Sequence, residues 1–461
     1  MISLKANMKI HFIGIGGAGM LPLAIHSKLK GFKVSGSDLS SENFHILRNE
    51  GIYPEKGHGH VGLDADLVVY SSAVKEDNTE FISAKMNNIP LIKRAEFLGL
   101  ITKESHAVLV SGSHGKSTTS TMLADMLNTY PEINATALIG AETVSMNSNY
   151  YKGKGDHIIL EADEYDRSFL KMFPRDLIIL NIDDDHMDIY GDISGLKNCF
   201  RELISKLNER SILVYNGDDE ATIQTAESYQ GKKVSFGITN KCDYSAANIK
   251  FINFHTEFDL IKNGQIIATL NYFYSGKLNV YNMLASAALL SGYGIEGKKI
   301  AELALNFKGV KRRQEIIYSD DNYILIDDYG HHPSEVKNSL ENLRLNHRGR
   351  MIVLFQPHLY SRTKYHSKAF AGSFHDADIV LISHIYPARE KFDPSVSSKN
   401  IYLDMNEIER KKTTVFDNFE DLYLVLEREV RPGDLVVSMG AGEINKILYR
   451  LKKELVKNEN N

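Results

Sequence analysis

The sequence predicts an α/β protein with three domains. One observation is the length of the chain, because 461 residues exceed what a single domain usually contains. Another is that short apolar runs alternate with helical patterns, an arrangement that produces parallel sheets. The third is that two of these runs, 8–13 and 107–110, end in glycine-rich loops that lead directly into helical patterns. We therefore expect a parallel sheet flanked by helices in each domain.

The first domain is predicted over residues 1–100. Its first strand is followed by the loop Gly14-Ile15-Gly16-Gly17-Ala18-Gly19 and by a helical pattern over 21–30. An acid, Asp38, ends the second predicted strand, and Ser71 and Ser72 follow a third strand over 65–70. A glycine loop of this pattern with a later acid is typical of dinucleotide-binding domains. Its literal interpretation is a site for NAD or FAD.

The second domain, predicted over 101–309, opens with a candidate phosphate-binding loop. The run 107–110 leads into Ser111-Gly112-Ser113-His114-Gly115-Lys116-Ser117 and then into a helical pattern. Glycines allow the tight turn, the helix N-terminus attracts an anion, Lys116 can reach a phosphate and Ser117 can bind Mg²⁺. A full P-loop has a further glycine where this chain has Val110. On this segment alone, a kinase, a transport ATPase and a ligase remain open.

Acidic segments follow two later strands of the second domain. The strand 157–160 leads into Glu161-Ala162-Asp163-Glu164, and the strand 177–180 leads into Asn181-Ile182-Asp183-Asp184-Asp185-His186. An acid at the carboxyl end of a strand, in a chain with a phosphate loop, is a common Mg²⁺ ligand. From the residues alone, His186 is either a metal ligand or hydrogen-bond partner at this site, or a surface histidine.

The remainder of the second domain is predicted to change from strands to a helix. The segment 233–274 is β-rich, with an Asn-Gly hairpin signal at 263–264. A helix is predicted over 283–290.

The third domain, predicted over 310–461, again places polar side chains at strand ends. Strands are predicted over 323–326, 350–355, 378–382 and 435–439. The first leads into Asp328, Tyr329, His331 and His332, ahead of Pro333, which suits the first turn of a helix. Arg362 follows the second strand, and Arg313 lies at the start of the domain. The tail after about residue 453 is predicted to be irregular.

Composition excludes several classes of protein. The net charge is −5 and there is no dense block of Lys and Arg, which argues against nucleic acid as the main partner. The two cysteines, Cys199 and Cys242, form no CxxC pair, so neither a disulfide framework nor a structural zinc site is expected. Cys199 is expected in the core. The apolar run near the N-terminus is too short and too glycine-rich for a signal peptide or a membrane span, so we expect a soluble, cytoplasmic protein without a membrane partner.

A set of stretches in fixed order carries a resemblance to one family. The stretches are HFIGIGGAGM (11–20), YSSAVKEDN (70–78), SGSHGKSTT (111–119), EADEYDRSFL (161–170), NIDDDHMDIYGD (181–192), GVKRRQE (309–315), DDYGHHPSEV (327–336), FQPHLYSRT (355–363) and MGAGEI (439–444). Together they resemble the Mur ligases of peptidoglycan synthesis, and within them the branch that adds L-alanine. The resemblance extends over all three predicted domains.

The resemblance implies a Rossmann-like UDP-binding domain, a central P-loop ATPase-type domain and a C-terminal Rossmann-like domain. It implies ATP-dependent ligation of L-alanine to the lactyl carboxylate of UDP-N-acetylmuramate through an acyl phosphate, with Mg²⁺, for which Mn²⁺ can substitute. The family uses a short GxxGK[ST] loop, so Val110 is no defect. Its first glycine loop holds the diphosphate of a UDP-sugar, so the resemblance replaces the NAD or FAD interpretation.

The resemblance also implies roles for individual residues. The catalytic residues would be Lys116, His186, Arg313 and His331, and the metal ligands would be Ser117, Glu161 and His186. The nucleotide would contact Gly112, Ser113, His114, Gly115, Lys116, Ser117, Thr118, Asn282, Arg313 and Asp328. The UDP-sugar would contact Gly14, Gly16, Gly17, Ala18, Gly19, Asp38, Ser71 and Ser72. L-Alanine would contact Tyr329, His331, Arg362 and Arg389.

Two departures from the family pattern affect this assignment. The family usually has a second arginine where this chain has Leu359, so Arg362 would hold the carboxylate of the amino acid alone or with Arg389. The family often has Gly-His where this chain has Lys277-Leu278, close to the predicted adenine contacts. Two alternative functions stay open, a sibling ligase that recycles murein tripeptide onto UDP-N-acetylmuramate and a nucleotide-gated UDP-sugar sensor on the same fold.

Overall fold

The computed structural model describes residues 4–59, 63–183, 187–388 and 390–459. Its chain forms two compact units. The first contains Met1–Lys250 and His255–Gly309, and the second contains Phe251–Phe254 and Val310–Asn461. The domain bounds drawn from the sequence, 1–100, 101–309 and 310–461, stay predictions.

The first unit begins with a five-stranded sheet. Its elements are β1 (Lys9–Ile13), α1 (Leu21–Leu29), β2 (Lys33–Asp38), α2 (Phe44–Asn49), β3 (Glu55–Lys56), β4 (Leu67–Tyr70), α3 (Thr79–Met86), β5 (Leu91–Lys93) and α4 (Arg94–Lys103). The strand order is β3-β2-β1-β4-β5, and neighbouring strands are parallel. Because parallel strands end at one edge, the glycine loop after β1, Asp38 and Ser71 come to the same side of the sheet.

A ten-stranded sheet forms the rest of the first unit. Its elements are β6 (His106–Ser111), α5 (Lys116–Asn128), β7 (Thr136–Leu138), β8 (Tyr150–Tyr151), β9 (His157–Glu161), a 3₁₀ helix (Tyr165–Lys171), β10 (Asp176–Ile179), α6 (Met187–Tyr190), α7 (Ile193–Ile204), β11 (Ile212–Asn216), α8 (Glu220–Ala226), β12 (Lys232–Gly237), β13 (Tyr244–Ile252), β14 (His255–Lys262), β15 (Gln265–Phe273), α9 (Lys277–Gly292) and α10 (Gly297–Ala304). The strand order is β15-β14-β13-β12-β11-β10-β6-β9-β7-β8. Strand β6 therefore lies between β10 and β9, parallel to both, which brings both acidic segments beside the phosphate loop.

The second unit contains a six-stranded sheet. Its elements are β16 (Glu315–Ser319), β17 (Tyr323–Asp328), α11 (Pro333–Asn346), β18 (Met351–Phe355), α12 (Tyr360–Ala371), β19 (Ile379–Ile382), α13 (Lys399–Asp404), α14 (Glu407–Lys411), β20 (Thr413–Val415), α15 (Phe419–Glu429), β21 (Asp434–Met439) and α16 (Asn445–Glu459). The strand order is β16-β17-β21-β18-β19-β20, with β16 antiparallel to β17 and the other neighbours parallel.

One apolar core joins the two sheets of the first unit. It includes Phe12 and Phe97, whose rings meet edge to face at 5.8 Å, and continues to Leu109 of the second sheet and to Phe169 and Phe200 of the helices that follow β9 and β10. The central strands are buried on both faces, which explains why they are continuous apolar runs in the sequence. Cys199 belongs to the same core, as predicted.

The hairpin signal at 263–264 is confirmed. Asn263 and Gly264 connect β14 to β15, and both have positive φ values, 49° and 83°. Two successive residues with positive φ match the right-handed twist of the flanking strands, and Asn-Gly adopts this conformation readily.

Two predictions about helix bounds are wrong. The helix predicted over 283–290 begins earlier, at Lys277, because buried Val280 extends its apolar face by another turn. The tail is not irregular after residue 453, since α16 extends to Glu459. Leu448, Leu451 and Leu455 recur at helical spacing along α16 and contribute to a core of the second unit.

No helix in the described ranges combines the length and the apolar character needed to cross a bilayer.

Candidate active site

The phosphate loop between β6 and α5 has a conformation that requires its two glycines. Gly112 and Gly115 have φ values of 135° and 89°, which residues with a side chain rarely adopt. A Cβ atom at Gly112 would lie 3.0 Å from the main chain of Asn181, and one at Gly115 would lie 2.5 Å from Asn282 Oδ1. The loop is therefore closely packed between the end of β10 and helix α9.

The N–H groups of the loop fall into two sets. Those of Ser113 and His114 donate to Asn181, to its carbonyl at 3.2 Å and to its Oδ1 at 2.7 Å. Within the described part of the chain, no group accepts a hydrogen bond from the N–H groups of residues 115–118. These four N–H groups form the N-terminus of α5, a helix of 13 residues, where the helix dipole favours an anion. The end of the helix, more than the turn before it, is thus available to a phosphate.

Lys116 is the first residue of α5, and it forms an ion pair with the buried carboxylate of Glu164. Its Nζ donates to the carbonyl of Gly112 at 2.8 Å and to the two carboxylate oxygens of Glu164 at 3.0 and 2.9 Å. Burial opposes the charge on Lys116, but the nearby carboxylates of Glu164 and Asp163 outweigh it and raise the pKa of the ammonium. Lys116 therefore carries a positive charge at the mouth of the loop at neutral pH.

Ser117 and Glu161 form the second polar pair of the loop. Ser117 Oγ donates to Glu161 Oε2 at 3.0 Å, and Gly140 N donates to Glu161 Oε1 at 2.8 Å. Burial raises the pKa of Glu161, so a cation at this position would stabilise the carboxylate. Hydroxyl and carboxylate oxygens are the ligands that Mg²⁺ prefers.

The metal site predicted from the sequence is thus only partly visible. Ser117 and Glu161 lie together and suit a hard cation, whereas the third predicted ligand, His186, lies outside the described residues. Among the residues that the structure describes, there is no group of three or more His, Cys, Asp or Glu side chains that could hold a metal ion. The donor pair fits Mg²⁺, and His186 stays a prediction.

Asn282 lies against the loop from the opposite side. Its Nδ2 donates to Asn279 Oδ1 at 3.2 Å. Its Oδ1 is buried and has no hydrogen-bond partner in the described ranges. A buried acceptor without a partner is costly, so a donor from a ligand at this position would stabilise it. This observation fits the predicted nucleotide contact of Asn282.

The first glycine loop is fixed by side chains from the neighbouring strand ends. Gly16 N donates to Asp38 Oδ2 at 2.9 Å, so Asp38 holds the loop itself in this structure. A Cβ atom at Gly14 would lie 3.5 Å from Ser71 Oγ, which places Ser71 beside the loop, whereas Ser72 is exposed. Asp38, a predicted contact of the UDP-sugar, thus also makes a main-chain contact within the loop.

The far end of the first glycine loop contacts residues from the part of the first unit that contains the ten-stranded sheet. Asn149 Nδ2 donates to the carbonyl of Ala18 at 2.8 Å. A Cβ atom at Gly19 would lie 3.0 Å from a guanidinium nitrogen of Arg94. Arg94 also interacts electrostatically with Asp163 and Glu161, and burial lowers its pKa. The loop after β1 and the acidic segment after β9 therefore share this arginine.

In the second unit, the end of β17 places several predicted residues close together. Asp328 is buried and accepts hydrogen bonds from Ser339 Oγ at 2.7 Å and Gly330 N at 2.6 Å. Burial raises the pKa of Asp328. The rings of Tyr329 and His331 meet edge to face at 5.3 Å, and the guanidinium of Arg313 lies 5.4 Å from the Tyr329 ring.

Glu335 fixes this segment at the start of α11. Its Oε2 accepts the N–H groups of His331 at 3.0 Å and His332 at 3.2 Å. Its Oε1 lies 3.5 Å from Arg313. Although burial opposes the charge, Arg313 and His331 lower the pKa of Glu335 to about 2. The carboxylate is therefore ionised at neutral pH, where it orients the predicted residues Arg313 and His331.

A second histidine connects His331 to Arg362. The rings of His331 and His358 meet at 5.4 Å, and His358 Nδ1 lies 3.1 Å from an Arg362 guanidinium nitrogen. Burial, with His331 and Arg362 nearby, lowers the pKa of His358 to about 4. His358 is therefore neutral at pH 7 and accepts the Arg362 hydrogen bond. Leu359 has a φ of 68° and supplies no cation, and Arg389 lies outside the described residues.

Four residues that shape these sites have no individual role predicted from the sequence. They are Glu164, Asn181, Glu335 and His358. Glu335 had a signal, because an acid three residues after the N-cap position is typical of a capping box. Glu164 and Asn181 also follow strand ends, but nothing in the sequence distinguishes them from the acids and amides beside them.

Comparisons with known proteins match the chain along almost its whole length. Three family descriptions match it, "Mur ligase family, catalytic domain" at residues 9–106, "Mur ligase middle domain" at 110–290 and "Mur ligase, glutamate ligase domain" at 312–442. The UDP-N-acetylmuramate–L-alanine ligase of Caldicellulosiruptor bescii is 37% identical over 97% of this chain and 99% of its own. The enzyme of the same name from Clostridium tetani is 37% identical over 96% of this chain and 97% of its own.

Solved structures agree with these relatives. The crystal structure of UDP-N-acetylmuramate-alanine ligase from Thermotoga maritima covers 98% of this chain and 100% of its own, with a TM-score of 0.82 and 28% identity. A murein peptide ligase from Psychrobacter arcticus covers 97% of this chain and 98% of its own, with a TM-score of 0.69 and 23% identity, and shares the fold. The three matching family descriptions and these structures confirm the predicted α/β class and three-domain architecture.

Proposed function

Because the chain belongs to the Mur ligase family, we propose that it joins L-alanine to the lactyl carboxylate of UDP-N-acetylmuramate at the expense of ATP. This is a step of peptidoglycan precursor synthesis, and its small-molecule substrates fit a cytoplasmic enzyme. The observation in the structure that best supports ATP-dependent chemistry is the arrangement at the N-terminus of α5. There the four N–H groups of residues 115–118 are open, and Lys116 and the Ser117–Glu161 pair lie beside them.

The reaction requires that a carboxylate become an acylating agent. Transfer of the γ-phosphoryl group of ATP to the lactyl carboxylate gives an acyl phosphate and ADP. The amine of L-alanine then attacks the acyl carbon, loses a proton, and displaces inorganic phosphate to form the amide. Two anions approach each other in the first step, so the protein must supply positive charge and correct positions.

We assign the phosphates of ATP to the loop before α5. The open N–H groups of residues 115–118 would bind phosphate oxygens, and Lys116 would add an ammonium charge. Ser117 and Glu161 would hold Mg²⁺, with His186 as a further ligand. Mn²⁺ could substitute for Mg²⁺. When bound, the cation would neutralise part of the phosphate charge. Asn282, with its buried Oδ1 beside the loop, would bind the nucleoside.

We assign the UDP-sugar to the loop after β1. Its glycines allow the diphosphate to approach the main chain, and Ser71 and Ser72 lie at the same edge of the sheet. Strand β1, the glycine loop and helix α1 form a pattern that dinucleotide-binding domains share. In the Mur ligase family, however, this loop holds a UDP-sugar. Asp38 would act through Gly16 N, to which it is already hydrogen-bonded.

We assign L-alanine to the second unit. Arg362 is the predicted partner of its carboxylate, because a guanidinium can donate two parallel hydrogen bonds. His358 accepts from the same guanidinium and keeps it in one orientation. Tyr329 and His331 would orient the amino acid, and Asp328 would contact the nucleoside. Arg313, oriented by Glu335, would stabilise the transferring phosphoryl group.

The decisive experiment is release of inorganic phosphate from ATP with the substrates added one at a time. We expect release that depends on both UDP-N-acetylmuramate and L-alanine, together with formation of the ligated product. Preference for murein tripeptide over L-alanine would replace this function by that of the recycling ligase. Binding of UDP-N-acetylmuramate and ATP without phosphate release under any condition would favour a sensor.

A further inference from the structure

A buried carboxylate lies beneath the first glycine loop and has no role in the function proposed above. Glu80, in the first turn of α3, is fully buried. Its Oε2 accepts a hydrogen bond from Ser37 Oγ at 2.5 Å and lies 3.3 Å from His11 Nε2 and 3.6 Å from His58 Nδ1. One carboxylate oxygen thus gathers side chains from β1, from the end of β2 and from the segment after β3.

Burial of this carboxylate is costly unless its neighbours stabilise the charge. Burial opposes ionisation, but hydrogen bonds from His11 and Ser37 outweigh it and lower the pKa of Glu80. Its other oxygen, Oε1, has no hydrogen-bond partner in the part of the chain that the structure describes. The imidazoles of His11 and His58 face the carboxylate. An apolar residue would fill this core position at lower cost, so the charge requires another explanation.

The cluster is connected to the glycine loop through Ser37. The carbonyl of Ser37 accepts the N–H groups of Gly14 at 2.8 Å and Ile15 at 3.0 Å. The next residue, Asp38, accepts Gly16 N at 2.9 Å. Three successive N–H groups of the loop are therefore set by the position of residues 37 and 38. The Ser37 hydroxyl, in turn, is held by Glu80 and by His58 Nδ1 at 2.7 Å.

We propose that Glu80 is a positioning residue for the UDP-sugar. Its carboxylate fixes Ser37 and His58, and through the main chain of Ser37 it holds the first glycine loop in the conformation that accepts a nucleoside diphosphate. The inference rests on the proposed function in one respect, since it takes the loop after β1 to be the UDP-sugar site. It concerns how the loop is held and leaves the chemistry at Lys116 unchanged.

The test is direct binding of UDP to Glu80→Gln, measured by calorimetry. The glutamine amide has the shape of the carboxylate but lacks its charge. An NH₂ group, which donates hydrogen bonds, replaces one of the two acceptor oxygens. We expect the Kd for UDP to rise about tenfold relative to the wild type, as for a lost charged hydrogen bond. In turnover, the KM for UDP-N-acetylmuramate should rise by a similar factor, while kcat and the KM for ATP stay within about twofold. A purely structural role would lower thermal stability without this selective change in KM.

Two further variants make the result specific. Glu76→Gln, at an exposed glutamate paired with Lys85, is the matched control and should bind UDP like the wild type. Glu80→Asp keeps the charge and should recover part of the UDP affinity that Glu80→Gln loses. If Glu80→Gln does not fold, Ser37→Ala removes the hydroxyl alone and should raise the Kd for UDP in the same direction.

The outcomes separate this inference from the function it rests on. If the wild type binds UDP, and Glu80→Gln or Ser37→Ala binds it with the same Kd, the role of Glu80 is overturned and the UDP-sugar site is not. Equal losses of UDP and ATP affinity would overturn it too, since they would indicate general damage to the fold. Failure of the wild-type protein to bind UDP would overturn the UDP-sugar site and this inference with it.

Discussion

Ser117 Oγ donates a hydrogen bond of 3.0 Å to Glu161 Oε2, and this contact joins the first turn of α5 to the end of β9. The two strands that carry the segments, β6 and β9, are parallel neighbours, with Val110 opposite Glu161. The register of the sheet therefore places a hydroxyl and a carboxylate at one position beside Lys116. Neither residue could be placed against the other from its position in the sequence alone.

Glu161→Gln should raise the Mg²⁺ concentration required for half-maximal activity by at least about tenfold. The amide keeps one acceptor oxygen for Gly140 N and presents its NH₂ group to Ser117 Oγ, and it loses the charge that attracts the cation. Phosphate release titrated with Mg²⁺ at saturating ATP measures the effect. Glu132→Gln, at an exposed glutamate, is the matched control. An unchanged Mg²⁺ requirement would remove Glu161 from the set of metal ligands.

Lys116→Ala should abolish turnover and leave UDP binding nearly unchanged. The ammonium is lost from the phosphate loop, whereas the loop after β1 is held by Asp38 and Asn149. Calorimetry with UDP and phosphate-release kinetics measure the two properties separately. Retention of more than about one per cent of the activity would contradict a central role for Lys116, since such a charge contributes several kcal/mol at a transition state.

Much of this site was predictable because parallel sheets collect chemistry at one edge. Glycine loops, acids and serines at strand ends indicated both loops of the first unit before any contact was known. The bounds of β6, β9 and β17 agree with the predicted strands to within two residues, since continuous apolar runs mark buried parallel strands.

What could not be predicted depends on packing between distant segments. The ion pair of Lys116 with Glu164 and the contact of Asn181 with the loop require the strand order, in which β6 lies between β10 and β9. The acidic segment offers several acids, and its sequence does not reveal which one turns inward. The helical tail of α16 was missed for a related reason, since its spaced leucines are stabilised by a core that the local sequence does not contain.

Asp125 predicts a specific dependence of stability on pH. It is buried in α5 and accepts hydrogen bonds from Ser145 and Tyr151 at 2.6 Å, and burial raises its pKa to about 6. Because the folded-state pKa lies above the unfolded one, Asp125 contributes stability below about pH 4, and this contribution is lost as the pH rises through 6. The loss amounts to at most about 3 kcal/mol.

Asp125→Asn should therefore become more stable relative to the wild type as the pH rises. The amide does not titrate, so any constant cost of the substitution is the same at each pH. Thermal unfolding of both proteins at pH 5 and pH 7.5 gives the comparison, with the exposed Asp77→Asn as control. A difference in Tm that is the same at both pH values would show that Asp125 is ionised in the folded protein throughout.

Arg362→Lys should raise the KM for L-alanine by about tenfold or more, with little change in the KM for ATP or the UDP-sugar. Lysine keeps the charge but loses the planar pair of donors that binds a carboxylate at two points. It also loses the guanidinium contact to His358, which is neutral and holds the arginine in place. Leu359 cannot compensate, because it offers no cation. Arg348→Lys, at an exposed arginine of the same unit, controls for the substitution itself. Initial rates with one substrate varied at a time give each KM, and an unchanged KM for L-alanine would move the carboxylate anchor elsewhere, with Arg389 the next residue to substitute.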